Sequence, residues 1–148
     1  MLRKAYRNFG AASNVTPTAV IQVKPGIGDV IWHLPFIRAI AAASPGGRIT
    51  FLTPPRTCAR DLLNAEPGVA EVLYSEHGGS ELRRGLNLLR LSQFLKRNFR
   101  TVWILDRTIR PALAAWLGGV PGRIGLGLGT WRPAPVHHQS RHPPQPFP

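Results

Sequence analysis

Apolar positions recur along the chain in short blocks, separated by proline, glycine and charge. Ala19-Val-Ile-Gln-Val23 is a β-rich run closed by a Pro-Gly-Ile-Gly turn. From Asp29 to Ala43 an apolar stretch predicts a helix that stops at Ser44-Pro-Gly-Gly. Arg48-Ile-Thr-Phe-Leu-Thr53 predicts a second strand, Arg56–Asn64 a short helix, and Val69–Tyr74 a third strand. Leu82–Phe99 predicts a helix, with Leu88, Leu91 and Leu95 on one face. Thr101–Leu105 is nearly all apolar, as a strand buried on both faces should be, and makes Trp103 a core residue. Ile109–Leu117 predicts a helix stopped by Gly118-Gly119, and Arg123–Leu126 a fifth strand.

Strands alternating with helices predict an α/β domain over residues 18–130, a parallel sheet with flanking helices. There is no internal repeat. Pro35 interrupts the first helical stretch, because a proline inside a helix costs about 3 kcal/mol. Either the helix begins near His33 with Pro35 in its first turn, or it begins at Asp29 and kinks.

Composition adds a strong charge asymmetry. Lys and Arg number 19 against 7 Asp and Glu, a formal charge of +12 over 148 residues, and no acid follows Asp106. Such a surplus favours acidic partners: nucleic acid, anionic lipid headgroups, or phosphorylated and carboxylated small molecules. The single cysteine, Cys58, excludes an internal disulfide framework and a cysteine-based zinc site. It is expected as a small buried apolar residue. Residues 1–17 are a basic lead-in without the apolar stretch of a secretory signal, and no run of about 18 apolar residues exists. A cytoplasmic location is the expectation, with peripheral contact at the inner face of the cytoplasmic membrane. Residues 131–148 hold six of the 15 prolines and three of the five histidines, which predicts a disordered tail.

The stretch from Val23 to Pro35 carries the most chemistry. In open parallel sheets, ligands bind outside the strand carboxyl ends, and Gly26 and Gly28 would let a substrate approach the backbone there. Ile31 stands where a dinucleotide fingerprint needs its last glycine, and no Gly-Lys-Ser/Thr follows to make a phosphate loop. Asp29 has two readings. As an N-cap, its carboxylate accepts a hydrogen bond from an early helix amide. As a general base, it takes a proton from an acceptor hydroxyl.

The run "IQVKPGIGDVIWHLPFIRAI" resembles the opening of the family 9 glycosyltransferases, the lipopolysaccharide heptosyltransferases, with their Gly-Asp-x-x-x-x-Leu-Pro motif. The likeness continues through "PGGRITFLTPPRTCARDLLNAEPGVAEVLY" and "FRTVWILDRTIRPALAAWLGGVPGRIGLGLG", over about residues 19–130. It implies a Rossmann-like acceptor-side domain, one half of a two-domain GT-B-type enzyme. It makes Asp29 the catalytic base of an inverting transfer, and Gly26, Gly28 and Arg110 acceptor-binding residues. The implied acceptor is an acidic saccharide of the lipopolysaccharide core. The implied donor is a nucleotide sugar such as ADP-heptose, with no other cofactor and no catalytic metal.

The chain departs from the family at Asp106-Arg-Thr-Ile-Arg-Pro111, where Arg107 and Thr108 replace a Gln-Gly pair. The implied donor-binding half has no counterpart in these residues, so the expectation is a truncated or frameshifted copy or a shortened gene model, inactive alone. A rival reading is a non-catalytic basic module that binds nucleic acid or an anionic membrane surface. The charge supports it, but the sequence has no aromatic-basic RNA signature and no helix-turn-helix pattern. Arg83, Arg90 and Arg97 form a basic stripe at sevenfold spacing, which is either a solvated face or a contact for lipid headgroups or an acidic saccharide. His137, His138 and His142 sit in a proline-rich tail that holds no fixed metal geometry. His33 is expected to pack beside the first helix.

Overall fold

A computed structural model describes residues 16–75 and 81–125, and of residues 81–84 the backbone only. The lead-in before Thr16, the Arg83 side chain, Leu126 and the tail with His137, His138 and His142 lie outside the described residues.

Five parallel strands form one sheet in the order β3-β2-β1-β4-β5: β1 (Thr18–Ile21), β2 (Ile49–Thr53), β3 (Val69–Tyr74), β4 (Thr101–Ile104) and β5 (Gly122–Gly125). Helices α1 (Ile27–Ala43), α2 (Ala59–Leu62), α3 (Glu81–Asn98) and α4 (Ile109–Leu117) connect them. The chain winds outward from β1 through β2 to β3, then returns to the other side of β1 for β4 and β5. Strand order therefore reverses between β1 and β4, which pair in register from Thr18↔Thr101 to Ile21↔Ile104. This is the Rossmann-like α/β arrangement that alternating segments predict.

The alternation of side chains along each strand divides the core into two layers. On one face Ile21, Leu52, Val102 and Ile104 pack with Leu91 and Leu95 of α3 and with Ala114 and Ala115 of α4. On the other, Val20, Phe51 and Val72 pack with Val30, Ile37 and Ile40 of α1 and with Ala59 beside Leu63. Trp103 is half-buried and packs against this second layer. Helices α3 and α4 approach closely: a β-carbon at Gly118, the residue that caps α4, would lie 2.6 Å from the Ser92 carbonyl oxygen.

Four local expectations need correction. Helix α1 starts at Ile27 behind Gly26, so Asp29 is its third residue and not its N-cap. The helix continues through Pro35, which has no amide hydrogen to offer the Ile31 carbonyl. Burial of Val30, Ile37, Ile40 and Ala41 against the sheet outweighs that one lost bond. The segment expected as a helix over Arg56–Asn64 divides into a 3₁₀ turn at Pro55–Thr57 and the single turn of α2. Between them Cys58 adopts a left-handed backbone, φ 50°, and its side chain is exposed, not buried. The inward positions on either side belong to Thr57 and Ala59. Finally, β1 ends at Ile21 and not at Val23: the Gln22 amide still donates to the Leu52 carbonyl, but those of Val23 and Lys24 turn to a side chain, as described below.

Arg38 on α1 grips Glu66, which precedes β3: its Nε and Nη2 donate to the two carboxylate oxygens at 3.0 and 2.6 Å. These hydrogen bonds hold the Glu66 carboxyl below its ordinary range. A group with a lowered native pKa binds fewer protons folded than unfolded, so its contribution is complete above the unfolded value, near pH 4.3. It is then lost as pH falls through the native value. We expect the urea midpoint of the protein to fall below about pH 4.3, and Glu66→Gln to flatten that part of the profile while leaving its neutral shape unchanged.

Candidate functional site

Strand order reverses between β1 and β4, and open parallel sheets bind ligands outside the strand carboxyl ends at such a reversal, so the segments that leave these two strands form the candidate site. Beyond β1, Gln22 is fully buried. Its Nε2 donates to the Lys24 carbonyl at 3.2 Å, which leaves Oε1 as acceptor. His33 Nδ1 lies 2.9 Å from that Oε1, so the imidazole carries its hydrogen on Nδ1. His33 stands on α1, half-buried and edge-on to Phe36. A buried amide thus anchors α1 to the loop that precedes it.

Beyond β4, Asp106 is 4% exposed. Its Oδ2 accepts the Val23 amide hydrogen in a short hydrogen bond and the Lys24 amide hydrogen at 3.1 Å. A carboxylate from one strand exit therefore clasps the backbone of the neighbouring exit. Its second oxygen, Oδ1, is buried and has no hydrogen-bond partner among the described residues, and the same holds for Thr108 Oγ1 two residues on.

The expected residues sit around this clasp. Asp29 lies in the first turn of α1, half-buried, where the positive end of the helix favours a carboxylate. Lys24 Nζ is 4.0 Å from its Oδ1, an exposed and therefore weak pairing. A β-carbon at Gly26 would lie 2.6 Å from Asp29 Oδ2, so a larger residue there would displace the Asp29 carboxylate from its present position. Gly28 has open space where a β-carbon would stand, so no packing among the described residues demands a glycine there. Arg110 is the second residue of α4, exposed, and it leaves the sheet on the face opposite α1. Asp29 and Arg110 thus occupy the first turns of the two helices that flank the reversal, one on each side of the sheet.

Sequence reasoning passed over Asp106, Thr108 and Gln22 as site residues. Asp106 had a signal: a lone acid directly after an all-apolar strand, in a stretch otherwise free of acids. Gln22 had a weaker one, as the single polar residue in an apolar run.

Comparison of the chain with models of protein families, with curated proteins and with solved structures finds no match. The fold class rests on the sheet itself.

Removing the clasp should cost the fold. Asp106→Ala leaves two amide hydrogens without their acceptor, and we expect a loss of about 2–4 kcal/mol in urea unfolding. Asp106→Asn keeps a carbonyl oxygen in place and should recover more than half of it.

Proposed function

We propose that this domain is the acceptor-binding side of an inverting glycosyltransferase similar to the lipopolysaccharide heptosyltransferases, within a two-domain GT-B-type architecture. The observation that carries the reading is the position of Asp29. The Gly-Asp of the motif falls in the first turn of α1, at the carboxyl edge of the sheet and beside the β1/β4 reversal. Ligands of open parallel sheets gather at such a reversal.

In this reading Asp29 removes the proton from an acceptor hydroxyl as that oxygen bonds to the anomeric carbon of the donor sugar. The bond from that carbon to the nucleotide diphosphate breaks on the far side, which inverts the centre and releases the diphosphate with its electron pair. Lys24, Arg107 and Arg110 are exposed on the two strand exits and suit an acceptor that carries carboxylate or phosphate groups. Gly26 keeps the Asp29 carboxylate where it is, and the open space at Gly28 leaves room for the sugar.

The test is a fusion of the chain to the nucleotide-sugar-binding half of a heptosyltransferase, assayed with ADP-heptose and a lipopolysaccharide-core acceptor. Asp29→Asn should lower turnover roughly 10²–10⁴-fold, the usual share of a general base. Its effect on stability should stay within about 1 kcal/mol, the value of one charge at a helix end. Near-normal turnover by the Asn variant would remove Asp29 from the mechanism.

A further inference from the structure

Helices α3 and α4 form one layer with an unusual outer surface. Both run opposite to the strands, so they are parallel to each other, and the contact of Gly118 with Ser92 sets α4 alongside the first half of α3. Ile109 is 64% exposed, Leu86 and Leu89 54% each, and Trp116 52%. Leu113 and Leu117 are exposed beside them.

The charge on this half of the chain is of one sign. From residue 85 to residue 125 there are seven Lys and Arg residues, all exposed, and the single acid is Asp106, which is buried. Arg90, Lys96 and Arg97 share the outward side of α3 with Leu86 and Leu89, and Arg110 stands at the start of α4. The contrast with the other half is sharp. Residues 16–75 carry five cations and four acids, so the exposed apolar residues of α1, Trp32 and Phe36 among them, have no comparable field around them.

We propose that the outer surface of the α3/α4 layer docks on an anionic lipid bilayer. Arginine and lysine meet the headgroups, each contributing about 1 kcal/mol near such a surface. Trp116 sits at headgroup level, and Ile109, Leu86 and Leu89 enter the acyl boundary, as on an interfacial amphipathic helix. The aliphatic side chains decide for lipid over nucleic acid, since they offer neither a stacking plane nor a hydrogen bond to a base. The proposal does not rest on the glycosyltransferase reading. Among the described residues no helix is long and apolar enough to cross a membrane, so the contact is peripheral.

The experiment is co-sedimentation of the whole 148-residue chain with phosphatidylcholine vesicles, with and without phosphatidylglycerol. Binding should require phosphatidylglycerol and weaken as salt rises. Arg90→Gln with Arg97→Gln should lower the partition coefficient about 30-fold. Trp116→Ser should lower it roughly tenfold, whereas Trp32→Ser on the opposite face should leave it unchanged. Far-ultraviolet circular dichroism checks that each variant is folded. The proposal is overturned if vesicles are not bound, or if the α3 and α4 variants bind as the parent does. It is also overturned if Trp32→Ser is the damaging change, or if the chain binds a polynucleotide or a second copy of itself through this face and ignores the vesicles.

Discussion

The carboxylate of Asp106 joins the two strand exits on which the site is built. Parallel strands end with amide hydrogens that no further ladder partner can take, and at β1 these are the amides of Val23 and Lys24. Asp106, at the end of β4, accepts both. The loop to Gly26 is thereby held against β4, and with it the start of α1, the position of Asp29 and the stance of His33 against Gln22. A single buried acid in a chain of formal charge +12 thus sets the geometry at the place where strand order reverses.

The two faces of the sheet have different tasks. On the α1 side, charge is nearly balanced, and Arg38 with Glu66 ties the helix to the approach of β3. On the α3/α4 side, Ala114, Ala115 and Gly118 let the helices approach and Leu91, Phe94 and Leu95 fill the core, while Leu86, Leu89, Ile109, Trp116 and the basic residues turn outward. The candidate site lies at the edge between the faces, with Asp29 on one side of the sheet and Arg110 on the other.

Much of the fold was legible because strands buried on both sides must be apolar throughout. Val69–Tyr74 and Ile109–Leu117 stand where their patterns put them, and the parallel order follows from alternation. The errors lie where backbone chemistry competes with pattern. A glycine N-cap at Gly26 gives no side-chain signature, so Asp29, two residues into the helix, resembled the cap. Cys58 was misplaced because its left-handed conformation depends on the turn at Pro55–Thr57, which hydrophobicity does not encode. The site was legible in part: the motif located Asp29, Gly26 and Gly28 at a strand exit. Asp106 escaped because its role depends on β4 lying next to β1, a fact of topology and not of local sequence.

Amide hydrogen exchange at Val23 and Lys24 tests this clasp most directly. Both residues lie past the end of β1, so without an acceptor their hydrogens would exchange as those of an open loop do. If Asp106 holds them, they should exchange as slowly as Ile21 and Ile104, opening only with the cooperative unit of the central strands. Exchange of these two amides at loop rates, while Ile21 stays protected, would contradict the account.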